Sequence, residues 1–147
     1  MIKKTMYWYI IFCLLMITSC VETKREPHTF SAGDKTFLLD GNPFVIKAAE
    51  MHYTRIPAEY WEHRIKMCKA LGMNTICIYA FWNIHEQKPG IFDFSGQNDI
   101  AEFCRLVQKN DMYIILRPGP YVCSEWEMGG LPWWLLKKDN IQLRTND

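Results

Sequence analysis

An α/β architecture built on a parallel sheet is predicted by three features of the sequence. Short apolar or β-branched runs recur at about residues 44–51, from Asn74, and around Tyr113, and each leads into a stretch with helical spacing or a helix start. The runs lie about 30 to 40 residues apart, which leaves room for a right-handed crossover helix and is far longer than a hairpin needs. Side chains capable of chemistry gather just past the runs, at residues 50–53, 79–86 and 117–127, where parallel α/β folds bind ligands.

The elements follow in order. Asp40-Gly41-Asn42-Pro43 separates two apolar runs and reads as a hairpin turn leading into the first strand, residues 44–51. Pro57-Ala58-Glu59 starts a helix, Trp61, Ile65, Cys68 and Leu71 recur on one face of it, and Gly72 ends it. "NTICIYAF" from Asn74 has the near-continuous apolar character of a strand buried on both faces. A loop carrying Pro89-Gly90 leads to a second helix over residues 98–110, with Ile100, Phe103 and Val107 inward. "MYIILRPGP" is a third buried strand, and "LPWWLLKK" starts a third helix.

Composition sets limits on this reading. With 49% hydrophobic and 14% aromatic residues the chain can build a core. Its N-terminus has the layout of an export signal: Lys3-Lys4, then twelve apolar residues from Met6 to Ile17, then Thr18-Ser19-Cys20. Twelve are too few to span a bilayer, which takes about 20. "ITSC" resembles a lipobox, so residues 1–19 are expected to be a lipoprotein-type signal peptide, Cys20 the acylated anchor, and residues 20–29 a polar tether, with an ordinary secretory signal and a chance cysteine as the alternative. The protein is expected to be exported, as a periplasmic or cell-surface lipoprotein that touches the membrane only through its lipid. Without that signal 15 basic residues face 16 acidic ones, a balance with no electrostatic footprint for nucleic acid. Cys68, Cys77, Cys104 and Cys123 show no metal-ligand spacing, and the first three read as small buried apolar residues.

Two architectures fit the βα alternation, an open doubly wound sheet and a (β/α)8 barrel. No GxGxxG follows the first strand, and polar residues cluster after every strand, which favours the barrel. A barrel takes roughly 250 residues, whereas this chain supplies about three of eight units, so residues 30–147 are expected to be the N-terminal portion of such a domain. There is no GxSxG elbow, and Pro89 stands where HExxH would need its second histidine. What remains is carboxylates beside Trp and Tyr, a combination suited to carbohydrate: acids accept hydrogen bonds from hydroxyls, and aromatic faces pack on a pyranose ring. Glycoside hydrolysis uses paired carboxyl groups. Glu50, Glu86, Glu125 and Glu127 are candidates by position, although Glu50 and Glu127 could equally pair with Arg55 or Arg117 to hold loops.

Over about 90 continuous residues the order of "HYTRIP", "WNIHE", "PGIFDFSG" and "RPGPYVCSEWEMGGLPWWL" resembles the start of the catalytic domain of glycoside hydrolase family 35, the β-galactosidases. The resemblance implies a (β/α)8 barrel, a retaining exo-acting mechanism on terminal β-linked galactose, and no metal or organic cofactor. It implies that Tyr79 contacts the galactosyl unit, that Cys123, Ser124 and Glu125 form a sugar-binding triplet with Glu125 on the hydroxyls, and that Asn83 and Glu86 brace the site from behind. Ser124 stands where alanine is usual, Ala49 where glycine is frequent, and Gln87 where proline is frequent. The family's acid/base lies in an Asn-Glu motif, a dipeptide absent from this sequence, and its nucleophile later still. Both are therefore expected beyond Asp147, and residues 1–147 alone are expected to be inactive. A non-catalytic glycan-binding lipoprotein, or the product of an interrupted gene, is the alternative.

Overall fold

A computed structural model describes residues 27–142. The expected signal peptide, Cys20 and residues 20–26 of the tether lie outside the described residues. The chain divides into two compact units, Met1–Val45 and Ile46–Asp147.

In the first unit, β1 (Phe30–Ala32), β2 (Phe37–Leu39) and β3 (Asn42–Phe44) form an antiparallel sheet in that order. Leu39 pairs with Asn42, so the turn between β2 and β3 is only Asp40-Gly41, both with positive φ (51° and 76°). This is the backbone that a two-residue hairpin turn requires and that an Asp-Gly pair tolerates. Asp40 also accepts from the Thr29 amide at 2.8 Å and meets His28 Nδ1 at 2.6 Å. Those bonds, the amide first, hold its carboxyl below the usual carboxylate range. The strand expected over residues 44–51 is interrupted: pairing stops at Phe44 and resumes at Ala48.

In the second unit, β4 (Ala48–Glu50), β5 (Thr75–Tyr79) and β6 (Tyr113–Arg117) form a parallel sheet with β5 central. Helix α1 (Trp61–Ala70) connects β4 to β5. The one-turn helix α2 (Trp82–His85), within what reads as loop in the sequence, and α3 (Ile100–Lys109) connect β5 to β6. A 3-10 turn, Ala58–Tyr60, precedes α1, and Gly72 (φ 85°) follows it. Asp99 caps α3 by accepting from the Glu102 amide at 2.7 Å, and Glu102 sits near the positive end of the helix dipole.

Alternation along β5 separates two faces. Ile76 and Ile78, both fully buried, belong to a core with Ile65, Phe103 and Val107, and Trp61 of α1 meets Phe103 of α3 edge to face at 5.5 Å. Burying each such side chain stabilises the fold by about 1.5–3 kcal/mol. Trp61 Nε1 donates to the carbonyls of Tyr53 and Ile56, so its one polar atom is satisfied. The opposite face of the sheet presents Glu50, Cys77 and Ile115 in one register row, and Tyr79 with Arg117 in another.

Three expectations need correction. β6 is not buried on both faces, because Leu116 and Arg117 are exposed. Residues 131–138 form a 3-10 turn, Trp133–Lys137, in place of an α-helix, with Trp134 anchored through Nε1 on the Glu86 carbonyl at 3.0 Å. Cys68, Cys77 and Cys104 are half-buried and Cys123 is exposed, all four as free thiols. Desolvation raises the pKa of the first three.

Candidate functional site

In a parallel sheet every strand delivers its last residues to the same edge, so distant parts of the sequence meet there. Glu50 ends β4, Tyr79 ends β5 and Arg117 ends β6. The Tyr79 hydroxyl donates to Glu50 Oε2 at 2.6 Å and accepts from Arg117 Nη1. The Arg117 guanidinium also lies over the Tyr79 ring, 4.5 Å from its centroid, a cation–π contact. His52 Nε2 is 3.0 Å from the other Glu50 oxygen, and its ring stands edge-on to Tyr79 and Phe81, each at 5.4 Å. The Tyr79 bond, then His52, holds the Glu50 carboxyl below its ordinary range. The same bond to Glu50 raises the Tyr79 phenol.

The loop after β6 supplies the second half of the site. Its backbone folds back on itself: Val122 donates to the Gly129 carbonyl at 2.7 Å, Gly129 to Trp126 at 2.8 Å and Trp126 to Cys123 at 3.0 Å. Cys123, Ser124 and Glu125 are all left-handed, with φ of 61°, 53° and 46°. For non-glycine residues that conformation costs roughly 1–2 kcal/mol each. Stored strain of this kind concentrates at ligand sites. The turn leaves Cys123 and Glu125 exposed and buries Ser124, whose hydroxyl donates to the Val122 carbonyl at 2.9 Å. Ser124 also lies beside the Tyr79 hydroxyl and opposes the rise in its pKa. Gly129 (φ 62°) has no room for a side chain, since an added Cβ would sit 2.1 Å from the Tyr121 ring.

The remaining candidates fall into two groups. Glu125 has no side-chain hydrogen bond or ion pair among the described residues, and its carbonyl accepts from Arg55 Nη2 at 2.9 Å. Arg55 in turn covers the Trp126 ring at 4.5 Å, and Trp126 packs on Phe81 at 4.2 Å. Asn83 faces this loop from α2 and accepts from Trp126 Nε1 at 3.0 Å. Glu86 is buried and turned away from the strand ends' chemistry: its carboxylate accepts from Trp82 Nε1 and from the Gly90 amide at 2.6 Å. The direct pairing weighed for Glu50 and Glu127 with Arg55 or Arg117 does not form. Arg117 meets Tyr79 and Arg55 meets the 125–126 backbone and ring. Among the described residues no group of three or more His, Cys, Asp or Glu could hold a metal ion.

Sequence reasoning singled out Tyr79, Asn83, Glu86, Cys123, Ser124 and Glu125 but assigned no role to His52, Phe81 or Trp126. The signal for His52 and Phe81 is their place two positions past a strand end, and that for Trp126 its place in the loop that follows β6.

The same region carries the likeness to known proteins. The family model for glycosyl hydrolases family 35 matches residues 36–147. A beta-galactosidase of Xanthomonas manihotis is 40% identical over 147 residues, all of this chain and 25% of that protein. The beta-galactosidase of Mus musculus is 50% identical over 111 residues, 76% of this chain and 17% of its own length. Beta-galactosidase 17 of Arabidopsis thaliana is 48% identical over 127 residues, 86% of this chain and 18% of its own. The chain thus spans a quarter or less of the length of these curated relatives. With a parallel α/β unit whose strand ends gather carboxylate, phenol and indole, and with this match over most of its length, the chain belongs to glycosyl hydrolases family 35.

Proposed function

We propose that the whole protein is a retaining exo-acting β-galactosidase and that residues 46–142 contribute the first βα units of its (β/α)8 barrel. The observation that carries this reading is the convergence of Glu50, Tyr79, Arg117 and the strained turn of residues 123–125 at one end of a parallel sheet. In this reading Tyr79, Cys123, Ser124 and Glu125 bind the terminal galactose, with the Glu125 carboxylate, unpaired among the described residues, accepting hydrogen bonds from sugar hydroxyls. Asn83 and Glu86 support them by fixing Trp126 and the 86–90 loop. Retaining hydrolysis places an acid/base and a nucleophilic carboxyl group about 5–5.5 Å apart. We assign those two roles to glutamates beyond Asp147 and to none of the described side chains. The reaction requires no metal or organic cofactor. The beta-galactosidase names of the relatives support the choice of sugar.

The N-terminal pattern supports export and anchoring through Cys20. Incorporation of labelled palmitate that disappears in Cys20→Ser is the expected result, and equal labelling of both proteins would remove the anchor from the account.

The functional test is twofold. The whole protein should release galactose from an aryl β-galactoside, and it should bind galactose in preference to its C4 epimer, glucose, with binding weakened tenfold or more by Glu125→Gln. Binding without turnover would favour a glycan-binding protein over an enzyme. Absence of both would end the galactoside reading.

A further inference from the structure

A tyrosine hydroxyl has one proton to donate and can accept at its oxygen from two donors. At Tyr79 the proton goes to Glu50 Oε2 at 2.6 Å, and one acceptor position is taken by Arg117 Nη1. The neighbouring Ser124 hydroxyl, which also acts on the Tyr79 oxygen, donates its proton to the Val122 carbonyl at 2.9 Å, so one acceptor position is left among the described residues. The ring cannot easily turn to redistribute these bonds, because Arg117 covers it at 4.5 Å and His52 stands against it edge-on at 5.4 Å. Glu50 is held in turn, its second oxygen 3.0 Å from His52 Nε2.

We propose that Glu50 is a positioning residue: it commits the Tyr79 proton, so that Tyr79 meets its sugar ligand only as a hydrogen-bond acceptor. The proposal rests on the reading of Tyr79 as a galactose contact and adds a specificity rule to it. The ligand group opposite Tyr79 has to be a donor. A hydroxyl satisfies this, whereas fluorine or an ether oxygen in the same place would set one acceptor against another. The groups facing Glu50 and Tyr79 are His52 after β4, Cys77 on β5, Arg117 on β6 and Ser124 in the following loop. Of these, His52 Nε2 faces the other Glu50 oxygen and the Ser124 hydroxyl is turned to the Val122 carbonyl, so in the structure it is Glu50 that takes the phenol proton. The depressed Glu50 carboxyl and raised Tyr79 phenol agree with a committed proton.

The test uses protein labelled with [13Cζ]tyrosine, the Tyr79 signal being identified by its loss in Tyr79→Phe. Without sugar, the Tyr79 signal should shift as acid protonates Glu50, below the ordinary carboxylate range, and the shift should vanish in Glu50→Gln. A Tyr79 signal that stays flat through the acid range in the unaltered protein overturns the proposal without touching the sugar-binding reading, and needs no variant at Glu50 to fold. With sugar, galactose should bind at least tenfold more tightly than one of its analogues in which a single hydroxyl is replaced by fluorine. That ratio should collapse in Glu50→Leu. An unchanged ratio in a folded Glu50→Leu also overturns the proposal. If the acid shift is present but galactose does not bind, the sugar-binding reading falls and takes the acceptor role with it, while the Glu50 bond to Tyr79 stands.

Discussion

Two parts of the second unit use the same residue types to opposite ends. At the strand ends, Glu50, His52, Tyr79 and Arg117 form a network in which Glu50 and Arg117 remain exposed, and the nearby Glu125 carboxylate is unpaired among the described residues. Behind them, residues 82–86 contain a glutamate, a histidine and an indole whose polar groups are bonded inside the protein. Glu86 takes Trp82 and the Gly90 amide, its carbonyl takes Trp134, and His85 is bonded by Tyr53 at 2.5 Å and by the Asp93 carbonyl at 2.9 Å. A buried group with every bond made inside the protein has nothing left for a ligand, and losing it leaves orphans. An exposed group with bonds to spare costs little to keep and can act on a ligand. The difference lies in unspent hydrogen-bonding capacity, which residue type alone does not reveal.

The sharpest break of this contrast is Glu86→Ala. It strands the Trp82 indole N–H and the Gly90 amide, and should cost about 3 kcal/mol, read from the shift in urea midpoint. A loss under about 1 kcal/mol would place Glu86 with the exposed carboxylates. Next is Gly129→Ala, which should destabilise by about 2 kcal/mol through its left-handed backbone and the collision with Tyr121. That result would locate the stability of the loop after β6 in its backbone, since its exposed carboxylates contribute little. Glu125→Gln is expected to leave the midpoint within about 0.5 kcal/mol while galactose affinity falls, so that stability and binding separate at that residue and not at Glu86.

The smallest effect is a pH dependence at Glu50. Its carboxyl is depressed in the folded state, chiefly by Tyr79 and then by His52. Its contribution is therefore present above the unfolded carboxylate pKa and lost as pH falls through the lower folded value. The side chain is 48% exposed, so screening keeps the contribution small. Stability profiles of the unaltered protein and Glu50→Gln should differ modestly at neutral pH and converge in that acid window. Parallel curves throughout would mean the Tyr79 bond contributes nothing.

Much of this architecture could be read from spacing. The β5 and α3 patterns, the Pro57 and Gly72 boundaries of α1, and the Asp40-Gly41 turn all act within a few residues, which is the range over which a sequence reports local structure. The break after Phe44 was not legible, because residues 45–47 carry no glycine or proline to mark it. Neither was the left-handed turn at Cys123, Ser124 and Glu125, whose residue types do not favour positive φ and are held there by the loop around them. The site shows the same divide. Tyr79 and Glu125 stand out by their place after strands, but Glu50 and Arg117 reach Tyr79 across 29 and 38 residues of chain. Only the parallel register brings them together, and that register also explains why Arg117 bonds a phenol where a carboxylate partner was expected.

The central claim is that the strand-end cluster meets a sugar and that the segment behind it does not. Backbone amide shifts recorded as galactose is titrated into the 15N-labelled protein test it most directly. The account predicts saturable shifts at Glu50, His52, Tyr79, Arg117 and across residues 122–126, with His85 and residues 88–94 unmoved. Shifts centred on residues 82–94, or a spectrum unchanged by galactose, would contradict it.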